Sequence, residues 1–211
     1  MKIAIVGDSI IGTNADNKGR LSIALRPFLI DLGLELVGNV GVQGSTIKRW
    51  LSGDKFDKEM KKIRAEDPEV LWVNFATNDL HHGTSPTAFA RNARDLYREF
   101  PSVRKVIWSE GNVEPKYKAK RDRALDEMVR LFERDHPGVL MLLHTRGASG
   151  EPYRDEPLHP SVEAHTEWIE MHVEQIEDHL GVKRSFLNRI SHYKAYVAGA
   201  VAGVIIVAFL S

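Results

Sequence analysis

The chain has 211 residues, 43% of them apolar and 27% charged, which is the composition of one ordinary soluble domain with a sizeable core. Its 29 lysines and arginines balance 29 aspartates and glutamates, so no net field draws it to nucleic acid, and a nucleic-acid partner is set aside. With no cysteine, disulfides, thiolate nucleophiles and cysteine-bound metals are excluded, and any chemistry must rest on Ser, His, Asp, Glu or Lys.

The chain begins M-K-I-A-I-V-G-D-S-I-I-G, where the apolar run Ile3, Ala4, Ile5, Val6 stops at Gly7. A continuous run this short predicts a strand buried on both faces of a parallel sheet, and it is too short and too soon interrupted for a secretory signal. Ser9 then falls just past the strand's carboxyl end, on the rim where open α/β sheets bind ligands. There it is either a nucleophile or a helix N-cap. Leu21, Ile23, Ala24, Leu25, Phe28, Leu29 and Leu32 predict a helix over about 18–32, bent or broken near Pro27. Leu34, Leu36 and Val37 predict a second strand that runs out into G-N-V-G-V-Q-G-S-T, where Gly38, Gly41 and Gly44 free the backbone to turn. A polar helix over about 54–65 leads to a third strand, 70–75, ending in A-T-N-D.

Ser85-Pro86 opens a helix with Phe89, Ala93, Leu96 and Tyr97 on one face, and a strand follows around 103–108. Pro115 begins a long charged helix whose inner face is Ala124, Leu125, Met128, Val129, Leu131 and Phe132, and Pro137-Gly138 closes it before the run Val139 to Leu143. Five strands alternating with helices predict an α/β domain built on a parallel sheet, because parallel neighbours need helical crossovers. After a polar loop from His144 to Leu158, H-P-S-V-E-A-H opens the last domain helix, with Pro160 in its first turn and His159 at its mouth.

Four exits thus offer Ser9, Gly44, Asn78 and His159 on one edge of one sheet. Acyl transfer needs a nucleophilic hydroxyl, a base, an acid that orients the base, and donors aimed at the developing oxyanion. Ser9 suits the attack, His159 the proton transfer, and an acid just before His159 the orienting role. The N–H groups of Ser9 and Gly44 and the amide of Asn78 suit the oxyanion. Each residue also has a plainer reading: a turn at Asn78-Asp79, an ordinary loop glycine at 44, a helix-cap histidine at 159.

G-D-S at 7–9, N-V-G-V-Q-G-S-T at 39–46, A-T-N-D at 76–79 and E-P-L-H-P at 156–160 resemble, in order and spacing, the four sequence blocks of the SGNH (GDSL-type) hydrolase family. The resemblance spans residues 1 to about 180. It implies a flavodoxin-like three-layer sandwich with a five-stranded parallel sheet and ester hydrolysis without metal or cofactor. Ser9 takes the nucleophile's position, Gly44 and Asn78 the oxyanion positions, and His159 that of the base. Two residues depart from the family pattern. Ala76 stands where the third block has glycine, and the aspartate three before the histidine is replaced by Glu156, with Asp155 one residue earlier. Glu156 fits by spacing, whereas Asp155 needs an extra residue accommodated beside Pro157. The implied activity is an esterase or acyl hydrolase on a lipid or an acylated carbohydrate. The alternative is a catalytically weakened, membrane-attached binding or structural protein, for example of a virion.

His81, His82, His136, His144, His165, His172 and His179 include no H-E-x-x-H-type ligand pair. The seven-residue repeat of His165, His172 and His179 predicts a solvated helix face rather than a metal site.

Beyond Gly181 the composition changes, giving a basic juxtamembrane linker over 181–194 with Lys183, Arg184, Arg189 and Lys194, and then an uncharged run from Ala195 to Leu210. We expect a single-pass transmembrane tail over 195–211. Its uncharged run spans roughly 24 Å as a helix against a ~30 Å hydrocarbon core, with Tyr193, Tyr196 and a snorkelling Lys194 bridging the interface. The alternative is a helix buried in the core or in an oligomer. Basic residues before the span predict that the enzyme domain stays on the cytoplasmic side, or inside a virion membrane. Gly199 and Gly203 form a G-x-x-x-G through which two tails would pack as a homodimer.

Overall fold

The computed structural model describes residues 1–11, 20–53, 57–110, 113–144 and 162–184. Five parallel strands form its centre: β1 (Lys2–Gly7), β2 (Glu35–Gly41), β3 (Val70–Asn74), β4 (Lys105–Ser109) and β5 (Leu140–Leu143). They lie in the order β2-β1-β3-β4-β5, the flavodoxin-like order of a doubly wound sheet. Alternate side chains along each strand enter opposite layers. Ala4, Val6, Leu71, Val73, Val106 and Trp108 pack with one set of helices, and Ile3, Ile5, Val70, Trp72 and Ile107 with another. Burying each such large side chain contributes about 1.5–3 kcal/mol, so the two apolar faces clamp the sheet from both sides.

The first layer holds α2 (Ile47–Leu51), α3 (Asp57–Ala65), α4 (Thr77–His81), α5 (Pro86–Arg98) and α6 (Lys118–Asp135), the last preceded by a 3-10 turn over Pro115–Tyr117. The second holds α1 (Arg20–Asp31), α7 (Val162–Met171) and α8 (Val173–Leu180), with α1 packed on α7. The helix α1 runs unbroken through Pro27, contrary to a break there. Pro27 lies on its solvent side, and Leu21, Leu25, Phe28 and Leu29 on the buried side hold the turns together. Ser85 caps α5 through its hydroxyl, which accepts from the Ala88 N–H at 3.2 Å, with Pro86 in the first turn as the sequence predicts.

The strand register sets the height of the site. Gly7 pairs with Gly41 on one side and Asn74 on the other, so the ends of β1, β2 and β3 stand level. A methyl group on Gly7 would lie 2.5 Å from the Asn74 carbonyl oxygen, and only glycine lets the two strands approach this closely. Ser109 and Leu143 close the β4–β5 ladder at the same edge. Among the described residues no helix is long and apolar enough to cross a membrane, and the tail at 195–211 lies outside them.

Candidate active site

Three strand exits are tied together at this edge. The Gly7 carbonyl accepts from the Val42 N–H at 3.1 Å and from the Ser45 hydroxyl at 3.4 Å, which folds the loop after β2 over the end of β1. Gly44 sits in that loop at φ +66°, with no atom within 4 Å of where a Cβ would stand, so the backbone conformation itself requires glycine. Thr46 then caps α2, its hydroxyl accepting from the Arg49 N–H at 3.3 Å.

Asp8 organises the turn that carries Ser9. It is 1% exposed; one carboxyl oxygen accepts from the Ile10 N–H at 3.1 Å, and the other accepts from the Asn78 side-chain amide at 3.3 Å. Ser9 stands half-buried above it. Asn78 lies in the first turn of α4, and Asp79 beside it is fully buried and accepts from the Ile47 N–H at the start of α2, with oxygens at 3.2 and 3.4 Å. One aspartate therefore ties the β1 turn to α4, and the other ties α4 to the β2 loop. The Asn78 amide has a second N–H, which leaves a donor for a ligand once one is committed to Asp8. Ala76, at the position where the family's third block has glycine, has φ 160° and ψ −38° and is fully buried, its methyl group packed in the first apolar layer.

Burial pushes the carboxyls of Asp8 and Asp79 up to about 7 each, against partial compensation by the N–H donors of Ile10 and Asn78 on Asp8 and of Ile47 on Asp79. The charge of Asp8 pushes Asp79 up further. Both native values lie above the ~4 of an unfolded chain, so between about pH 4 and 7 the native state holds more protons. The contribution of the pair to stability is therefore complete below pH ~4 and is lost as pH rises through ~7. Asp79→Asn keeps an acceptor for the Ile47 N–H and removes one titration. In thermal unfolding from about pH 5 to about pH 8.5, wild type is expected to lose several degrees relative to this variant. Equal slopes in the two proteins would show that Asp79 is not raised.

Of the residues singled out in the sequence, Ser9, Gly44 and Asn78 are brought to one rim. His159, Glu156 and Asp155 lie outside the described residues. The same rim carries three side chains that were not singled out as site residues. Glu110 follows β4 and His144 follows β5; the Glu110 carboxylate meets the Arg121 guanidinium at 2.6 Å and the His144 Nδ1 at 3.2 Å. Strand exits were the signal that picked Ser9, and Glu110 and His144 occupy the equivalent places on β4 and β5.

The solvated histidine face is corrected. His165 is 3% exposed in α7, which packs on α1, and the helix breaks at His172 between α7 and α8, so the seven-residue repeat does not run along one helix. Among the described residues no group of three or more His, Asp or Glu is arranged to hold a metal ion.

A family model described as GDSL-like lipase/acylhydrolase matches residues 5–183. The fold is similar to that of the lipase/acylhydrolase from Enterococcus faecalis, at 20% identity and TM-score 0.61, with 87% of this chain and 98% of that one covered. It is also similar to a family 3 carbohydrate esterase from Talaromyces cellulolyticus (13%, TM-score 0.63, 87% and 100% covered) and to one from Clostridium thermocellum (15%, TM-score 0.60, 84% and 98% covered). No curated protein sequence matches the chain significantly.

Proposed function

Because the chain belongs to the GDSL-like lipase/acylhydrolase family and is an ester hydrolase, we propose that Ser9 is its nucleophile and that it cleaves an ester of a lipid or an acylated carbohydrate through an acyl-enzyme. In this reading the Ser9 hydroxyl attacks the ester carbonyl carbon while His159 takes its proton. The carbonyl oxygen becomes an oxyanion that accepts from the N–H groups of Ser9 and Gly44 and from the Asn78 amide. Collapse of this intermediate breaks the bond to the alcohol, which leaves with the proton from His159. Water, activated by the same imidazole, then releases the acid and restores Ser9. Glu156 or Asp155 holds the other ring nitrogen of His159. All three residues fall within the span that the family model matches.

The observation that carries the reading is the Asp8–Asn78 bond of 3.3 Å, which joins the turn bearing Ser9 to the helix bearing the amide donor, beside the Gly44 loop that is tied to Gly7. The uncharged run at 195–210 behind Lys183, Arg184, Arg189 and Lys194 supports adding a C-terminal anchor, with the domain on the cytoplasmic side and the tails able to pair. The test is to treat the full chain with a fluorophosphonate probe and map the labelled residue while assaying short p-nitrophenyl esters. Labelling at Ser9 with turnover is expected. Absence of both would overturn the proposal.

A further inference from the structure

The register of the β4–β5 ladder puts Glu110 and His144 side by side. Ser109 pairs with Leu143, the next residue on each strand is Glu110 or His144, and the Glu110 N–H donates to the Leu143 carbonyl at 2.9 Å. From this point the two side chains differ sharply. Glu110 is 3% exposed and meets Arg121 of α6, itself 8% exposed, at 2.6 Å, while the His144 side chain is 67% exposed. The buried ion pair fixes the Glu110 carboxylate, and its second oxygen faces His144 Nδ1 at 3.2 Å. Facing a carboxylate, a neutral imidazole donates from Nδ1, which makes Nε2 an acceptor. The main chain of His144 is held as well, its carbonyl accepting from the Trp168 indole N–H at 2.7 Å. The outcome is an oriented, solvent-facing hydrogen-bond acceptor on the rim that carries Ser9.

Strand spacing decides what that acceptor meets. Neighbouring strands lie ~4.8 Å apart, so β5 stands ~14 Å from β1 and ~10 Å from β3. Proton transfer from Ser9 needs direct contact of about 3 Å, a role the reading above gives to His159, and the distance between the two strands assigns His144 another one. A place two strands beyond β3, ~10 Å away at the strand ends, instead suits a part of the substrate away from the scissile carbonyl. In a simple acyl ester the hydroxyls, the donors that an imidazole acceptor requires, are on the alcohol side.

We propose that His144, oriented by Glu110 and Arg121, binds a hydroxyl of the alcohol portion of the substrate, and that the substrate is accordingly an acylated carbohydrate rather than a fatty ester of a simple alcohol. The inference rests on the Ser9 reading given above. His144 is a binding residue, and Glu110 and Arg121 are positioning residues that act through it.

The experiment compares the full-length wild type, His144→Ala and His144→Gln on mono-acetylated cellobiose and on p-nitrophenyl acetate, which share an acyl group and differ in hydroxyls. For His144→Ala the ratio of kcat/KM between the sugar ester and p-nitrophenyl acetate is expected to fall about tenfold, through KM. His144→Gln, whose amide oxygen still accepts, should recover part of the ratio. Glu110→Gln, whose amide can donate to Nδ1 and turn Nε2 into a donor, should lower the ratio as His144→Ala does, with circular dichroism reporting whether it folds. An unchanged ratio in His144→Ala, or a wild type that hydrolyses p-nitrophenyl acetate and leaves the sugar ester intact, would overturn the inference. Fluorophosphonate labelling in parallel tells the two readings apart: a labelled Ser9 with an unchanged ratio removes the hydroxyl site alone.

Discussion

Replacing Ser9 by alanine is expected to lower turnover of a short p-nitrophenyl ester by ~10⁴-fold or more and to abolish fluorophosphonate labelling. Ser9 is half-buried at the end of β1, while the turn around it is held by main-chain and Asp8 contacts: the Asp8 N–H on the Asn74 carbonyl at 3.2 Å and the Ile10 N–H on the Asp8 carboxyl at 3.1 Å. Removing one oxygen therefore leaves that scaffold in place, and the unfolding midpoint should move by no more than a degree or two, as for other substitutions outside the core. Loss of activity with an unmoved midpoint assigns the effect to chemistry. Retention of activity within tenfold of wild type would require another nucleophile.

The second large effect is expected for Asn78→Ala, with kcat lower by ~10²- to 10³-fold and KM little changed. The split follows from timing, because the amide donates to charge that exists only once the carbonyl has become tetrahedral. Asn78 is anchored through its contact with Asp8, so its position does not depend on substrate. Pre-steady-state measurement of acyl-enzyme formation checks this directly: the acylation step should slow by the full factor. Equal rates in variant and wild type would remove Asn78 from the oxyanion site.

Much of this architecture is legible in the sequence. Four of the five strands are apolar runs, ended by Gly7, Asn74, Ser109 and His144, and the exits of β1, β2 and β3 lead to Ser9, Gly44 and Asn78; β2 differs, because it continues through Gly38, Asn39 and Gly41, where the glycines suggest a turn. The short elements are not legible. The helices α2 and α4 have five residues each, too few to show a period, and they exist through tertiary contacts: the N–H of Ile47 starts α2 against the carboxyl of Asp79 in α4. Asp8 was visible as the middle of G-D-S, yet its partnership with Asn78 crosses 70 residues and arises only from the parallel register of β1 with β3. Glu110 and Arg121 do not stand out in the sequence, because charged residues after a strand and along a polar helix normally face water. Their burial reflects the packing of α6 against the first apolar layer, which no local pattern encodes. In the sequence His144 is one histidine among nine, and only the ladder next to it supplies its carboxylate.

The closeness of Gly7 to the Asn74 carbonyl has a mechanical outcome. With no space for even one carbon between two central strands, the platform beneath Ser9 has no slack, and the hydroxyl's elevation is dictated by main chain on main chain. With Ser9 as the proposed nucleophile, a substrate comes to that fixed point, and the proposal leaves discrimination among esters to the outlying exits of β4 and β5.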